Sequence, residues 1–428
     1  MNREKPDRIS IGRGIGLNFV ENDRYKTNHI TFYFVTKLNK YTASYNTVLS
    51  RVLTRGCEEY PDQRSLNGAL DHCYDAEIVA DTSKIGDLHA LSVSLSLLDN
   101  AYSFDGEDIT GEGLSLLEKV LFYPYVAGGA FDEEYVRGEK KLAQDEIASQ
   151  INHKASYAKG RLIGHMCRLE PYGTGALGEK REIGRITAKS LYEYYEELLE
   201  TATVEIFFVG RFDREKVKST VEAIFKDRKR NPEELPQHSI RTKARSVKEI
   251  TERMDITQAN LVMGFRAGVS VFHKDWRAMT LYNSVLGGSL TSKLFCVLRE
   301  KMSLCYSVSS QPHAMKGILL IYAGIAPENR DVAVKEALRQ MDEIKNGNVT
   351  AEELENARGA IVHALKGLGD NPAALAGWYL PNVLIGQVKT PTEVMKELEK
   401  VTLDDVVRVA RGITLDTVYT LTAKEERK

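Results

Sequence analysis

Along "YNTVLSRVLTRG" (Tyr45 to Gly56) the apolar residues fall at 45, 48, 49, 52 and 53, the i, i+3, i+4, i+7, i+8 stripe of one helical face. That stripe predicts a helix set against a core, with Gly56 placed where such a helix would be capped. Thr47, Ser50, Arg51 and Thr54 make up the opposite, polar face. Just upstream, "HITFYFVTKL" (His29 to Leu38) has the β-branched and aromatic content of a strand.

The same order of patterns returns further along the chain. "YNSVL" (Tyr282 to Leu286) repeats "YNTVL" with one change and follows a second strand-like run, "ANLVMGFRAG" from Ala259. "LDHCYDA" from Leu70 parallels "MSLCYSV" from Met302, and the alternating runs "ALSVSLSLL" and "GILLIYAGI" come next. Long charged helices are then predicted from Phe131 and from Thr350. Elements in one order with slowly shrinking offsets are the mark of a duplication with unequal loops. The fold class expected is α+β: two tandem homologous domains, each a mostly antiparallel sheet with helices packed on one face. The first would span 1–228 and the second 248–428. Between them, 229–247 is polar, charged and carries Pro232 and Pro236, as an extended linker does.

Length supports the division, because 428 residues exceed what a single core organises. Charge narrows the function classes: 58 Lys+Arg against 60 Asp+Glu, without a long basic run, argues against a nucleic-acid binder. The opening "MNREKPDRIS" lacks the apolar segment of a signal peptide, and no apolar run is long enough for a membrane helix, so a cytoplasmic protein is expected. The five cysteines are scattered without a CxxC, which fits reduced thiols. A cysteine nucleophile would need a nearby histidine, and the one adjacency, His72 next to Cys73, points the two side chains apart.

Four segments carry a resemblance that runs nearly end to end. They are "GCEEYP" after the first helix, "EPYGTGALGEKREIGRITAKSLYEYYEELL" from Glu170, "VEIFFVGRFD" from Val204 and "VLGGSLTSKLFCVLREKMSLCYSVSS" from Val285. Together they resemble the pitrilysin/insulinase metallopeptidases, which include mitochondrial processing peptidase. The resemblance implies that the two domains form half of a clam-shell chamber. It also implies an HxxEH motif on the first-repeat helix, where two histidines one turn apart hold zinc and the glutamate activates its water. In this chain those positions fall on Thr47, Ser50 and Arg51, and none of the nine histidines has another four residues away. Hydroxyls are poor zinc ligands and a guanidinium offers no lone pair, so the motif is vacated and no metal is expected in this chain. The family's third ligand and its neighbour are matched by Glu139 and Glu146, seven residues apart on one helical face. They are either ordinary surface charges or, with Arg51 in the place of the metal, partners in a salt bridge through one or the other.

In the second repeat the resemblance assigns substrate and oxyanion support to Arg299 and Tyr306. Lys293 stands where arginine is common, Met302-Ser303 replaces an Arg-Gly pair, and the glycine-rich loop of the processing peptidase's noncatalytic subunit is missing. The pattern is similar to the HxxEH-lacking bacterial branch found in Firmicutes and associated with aminopentanol-type modification of elongation factor P. It implies a noncatalytic subunit that binds an HxxEH-bearing homologue, with zinc only in that partner, and that lends Arg299 and Tyr306 to its site. Extended peptide would be held as an added strand at "YDAEIVADTSK" from Tyr74, where Asp75 replaces a usual asparagine. The alternative is a peptide-binding or scaffold protein without a peptidase partner. Whether the chain forms homodimers when alone is left open by its sequence.

Overall fold

A computed structural model describes residues 4–424. Six strands make the first sheet, in the order Asp7–Gly12, Ile15–Glu21, Thr203–Gly210, Thr27–Lys37, Leu88–Leu98, Glu77–Ile85. The second sheet has five, in the order Lys248–Met254, Thr414–Ala423, Ala259–Arg266, Ile318–Ile325, Cys305–His313. Leaving out the outermost hairpin strand Asp7–Gly12, the two sheets match strand for strand. Each has a single parallel junction, Ile15–Glu21 with Thr203–Gly210 and Lys248–Met254 with Thr414–Ala423, and every other neighbour is antiparallel. The echo of YNTVL in YNSVL is therefore a duplication of topology as well as of sequence.

Alternation along the strands builds the cores. Ile30, Phe32 and Phe34, with Leu91, Val93 and Leu95, meet Val48, Leu49, Val52 and Leu53 of the helix Lys40–Leu53. In the second sheet Leu261, Met263 and Phe265 meet Tyr282, Val285 and Leu286 in the same way. Each large apolar side chain buried like this contributes about 1.5–3 kcal/mol. Asn39 and Thr42 cap the first-repeat helix reciprocally, which fixes where it starts.

The other face of each sheet is also covered, by one helix from the opposite repeat. Ala158, Leu162 and Met166, on the helix Lys154–Met166, pack on Val262, Leu320 and Tyr419 of the second sheet. Gly264 makes that approach possible, since a Cβ there would come within 2.8 Å of Leu162 and Met166. Reciprocally, the helix Pro372–Leu384 lies on strands Thr203–Gly210 and Thr27–Lys37 of the first sheet. The compact units are therefore interleaved in sequence: residues up to 148 with 174–236 and 369–390, and residues 149–173 with 237–368 and 391 onward. Helices on one face describes most of each unit; the exchanged helix occupies the second face in both.

A buried ion cluster fastens the exchanged segment of the second unit. Arg266 is fully buried, pairs with Glu170 at 2.9 Å, and donates from Nε to Asp416 at 2.9 Å and from Nη2 to the Met166 carbonyl at 2.9 Å. Lys316 reaches the other oxygen of Glu170 at 3.2 Å. Glu170 is held by charge alone, between Arg266 and Lys316, while Asp416 and the Met166 carbonyl take the hydrogen bonds of Arg266, so no buried charge of this cluster is left unpaired. Residues 229–247 contain neither helix nor strand, and backbone bonds from Asn231 to Glu200 (2.9 Å) and from Glu233 to Thr201 (2.8 Å) strap their start to the first unit.

Candidate functional site

The helix Lys40–Leu53 lies deeper than its polar face suggests: Thr47 and Ser50 are buried. Ser50 Oγ donates to the Thr47 carbonyl at 3.1 Å, and Thr47 Oγ1 is buried without a hydrogen-bond partner. Arg51 donates from Nη2 to the Glu146 carboxylate, so Glu146, on the helix Glu133–Ser149, is its partner. Glu139, the more buried carboxylate, belongs to Arg55, whose Nε donates to Oε1 at 2.6 Å. Ascending from Arg51 to Arg55 descends from Glu146 to Glu139, so the two helices run antiparallel and the pairs form a two-rung ladder. Sequence reasoning left Arg55 out: it lies in the turn after the helix ends at Leu53, four residues from Arg51, while the two carboxylates are seven apart, so spacing alone does not pair them.

The ladder decides what the site can hold. The zinc-motif positions supply a buried hydroxyl, a hydroxyl bonded to its own helix and a guanidinium already engaged with Glu146. Among the described residues, no group of three or more His, Cys, Asp or Glu side chains is placed to hold a metal. These residues do not fit a zinc ion, and no chemical step is assigned to one here. The rungs differ in weight, because Glu139 is shielded while Arg51 and Glu146 are each partly in solvent. Arg55→Ala, which strands a buried carboxylate, is expected to cost about 3 kcal/mol, against ~1 kcal/mol or less for Arg51→Ala. Urea denaturation of both variants tests the order.

Deep in the first unit, the same helix is anchored by His89. Asn46 donates to its Nδ1 at 2.9 Å, its Nε2 donates to the Ala176 carbonyl at 2.8 Å, and Tyr194 donates to Asn46 Oδ1 at 2.8 Å. Burial pushes the imidazole down to about 4. A neutral ring satisfied at both nitrogens is a structural brace, not a metal ligand.

In the second repeat, Ser284–Gly288 and Phe295–Lys301 are π-helical, a rare form that concentrates at functional sites. The second stretch carries Arg299, which is exposed and sits with its guanidinium 4.7 Å over the Phe295 ring, an arrangement that limits its rotamers. Tyr306 is 72% exposed. A β-bulge explains why: Cys305 pairs with Ile325 and Ser307 with Gly324, which leaves Tyr306 as the extra residue. Lys293 pairs with Glu353 at 2.8 Å. At the turn, Ser303 takes φ +53°, the left-handed region that glycine adopts freely and serine at a cost of about 1 kcal/mol. Leu290, Met302 and Tyr306 leave apolar surface exposed in this segment.

Strand Glu77–Ile85 is an edge of the first sheet and pairs only with Leu88–Leu98. Tyr74 and Asp75, which lead into it, both take left-handed φ, +57° and +54°, a strain that native structures keep where the surroundings fix it. Here Tyr74 donates to the Glu107 carboxylate and accepts from the Phe104 amide at 3.0 Å. Cys73 next to it is buried, and its thiol is pushed up to about 11, which removes it as a nucleophile at neutral pH. No helix among the described residues is long and apolar enough to cross a membrane.

Residues 185–361 match the family described as Peptidase M16 inactive domain. Along 413 residues, 96% of both chains, the sequence is 29% identical to the probable inactive metalloprotease YmfF of Bacillus subtilis. It is 26% identical over 315 residues to the uncharacterized zinc protease YmxG of the same organism, covering 70% of this chain and 72% of that one. A conserved protein from Enterococcus faecalis V583 superposes over 99% of this chain and 100% of its own with a TM-score of 0.92 at 23% identity. A peptidase M16 inactive domain from Pseudomonas fluorescens covers 99% of both at 0.80 and 17%; at these identities the two structures establish the fold. The chain is thus similar along nearly its whole length to homologues of the M16, or pitrilysin/insulinase, metallopeptidases, matches their inactive domain over 185–361, shares the fold of the M16 structures, and carries no HxxEH motif.

Proposed function

We propose that the chain is the noncatalytic subunit of a heterodimeric bacterial zinc peptidase, with the metal in an HxxEH-bearing homologue and with Arg299 and Tyr306 lent to that partner's site. The observation that carries this reading is the asymmetry between the repeats. In the first, Arg51 and Glu146 are bound to each other at the metal position. In the second, a guanidinium held over an aromatic ring and a phenol lifted out by a bulge are both turned to solvent, beside exposed apolar side chains. A cation and a hydroxyl donor of this kind suit the oxyanion that develops when a zinc-bound water attacks a peptide carbonyl. Extended peptide would add to the edge strand Glu77–Ile85 through backbone hydrogen bonds. That Bacillus subtilis has both a relative named probable inactive metalloprotease and one named zinc protease supports the idea of such a pair.

Co-expression with the HxxEH homologue of the same genome, followed by a peptide-cleavage assay, tests it. Arg299→Ala and Tyr306→Phe are each expected to lower kcat of the pair by roughly 100-fold while leaving assembly intact. Unchanged turnover in both variants rules out the contribution. If the chain captures extended peptide and no HxxEH homologue co-purifies, it is a peptide-binding or scaffold protein instead.

A further inference from the structure

A groove of about 630 Å³ runs along the helix Glu133–Ser149 opposite the turn 184–188. Its wall presents Arg137, Lys140, Lys141 and Gln144, the i, i+3, i+4, i+7 face of that helix, and Glu133 is its one carboxylate. In a chain of net charge -2 this is a local surplus of positive charge. Arg137 and Lys141 are exposed, and among the described residues no ion pair involves either. Lys140 lies lower, half-buried, and its ammonium is held only by the carbonyls of Gly184 and Ile186. Among the described residues no carboxylate pairs with Lys140, so its charge adds to those of Arg137 and Lys141 at the groove. Burial already pushes Lys140 below the ordinary lysine value. The far wall adds the start of the helix Ala188–Thr201, whose dipole has the same sign of effect.

We infer that this groove docks an acidic extended segment of a partner protein, with carboxylates at alternate positions. Spacing argues for a peptide. Arg137 and Lys141 are separated by ~6 Å along the helix axis, close to the ~6.6 Å between side chains i and i+2 on one face of an extended strand. From Arg137 to Gln144 is ~10 Å, room for about three extended residues and far more than one small anion fills. The inference does not depend on the heterodimer, since the groove is formed wholly by residues of the first compact unit.

Fluorescence anisotropy of the full chain with a labelled eight-residue peptide of alternating Glu and Ser tests it. The glutamate peptide is expected to bind with an affinity that falls as salt rises, and its Gln counterpart at least about tenfold more weakly. Arg137→Glu/Lys141→Glu should weaken the glutamate peptide by at least about tenfold. Arg137→Gln/Lys141→Gln, which keeps the helix propensity, serves if charge reversal lowers the melting temperature. Unchanged affinity in these variants overturns the inference. So does inorganic phosphate binding as tightly as the peptide, or a single-stranded oligonucleotide of equal charge binding more tightly.

Discussion

Thr47→His/Ser50→Glu/Arg51→His is expected to hold about one zinc ion per chain after dialysis against trace metal, where the unaltered chain retains almost none. The geometry behind this is the length of arginine. Its terminal nitrogen, now bonded to Glu146, lies well beyond the reach of a histidine ring at the same position. A metal ion on the shorter imidazole fills that gap and meets the same carboxylate. His at 47 and 51 would share one helical face, Glu146 would be the third ligand, and a water would complete a tetrahedral site. Arg51→His alone should not suffice, because the buried Thr47 hydroxyl is a poor ligand. Zinc content by mass spectrometry reads the result directly. A well-folded triple variant without zinc would mean that the two helices have moved from the metal-bearing spacing, and that the ladder is more than a replacement for the ion.

Cutting the linker should not separate the halves. A protease site placed after Arg245, which is exposed, leaves an N-terminal fragment that still carries the helix Lys154–Met166 and a C-terminal fragment that still carries Pro372–Leu384. Each of those helices is packed in the unit formed mainly by the other fragment. Leu162 and Met166 are buried on one side, and Leu375, Tyr379 and Leu380 on the other. At about 1.5–3 kcal/mol for each large apolar side chain, the exchange outweighs the loss of one covalent link. The nicked protein is expected to elute from gel filtration at the position of the intact chain and to come apart only in denaturant. The halves expressed separately should be poorly soluble, each exposing a sheet face such as Val262, Leu320 and Tyr419. Two fragments eluting apart in native buffer would show that the exchanged helices contribute little.

The readings made from sequence differ in how far they reached. Periodicity of 3.6 and of 2 placed the first-repeat helix and the matching strands, because burial of one face is a local property of the pattern. The missing histidines are a fact of composition that no folding could change. Arg51 could only be left with two possible acceptors, since which carboxylate it meets depends on how two helices pass each other. The same limit hid Arg55 as the partner of Glu139, a pairing set by how the two segments pass each other. Tyr306 reads in sequence as one more strand residue, and its exposure comes from a bulge in pairing with a strand that follows it.

The sequence by itself determined that this chain is built twice and that its first helix carries Thr47, Ser50 and Arg51, with no two histidines one turn apart anywhere in the chain. These follow from residue identity and local periodicity. Tertiary structure alone decided that each sheet's second face is covered by a helix from the other repeat, that Glu146 and not Glu139 meets Arg51, and that a half-buried lysine lies beneath a basic groove. An amphipathic helix records that one of its faces is covered. It carries no record of what covers it, because that depends on contacts between residues far apart in the chain.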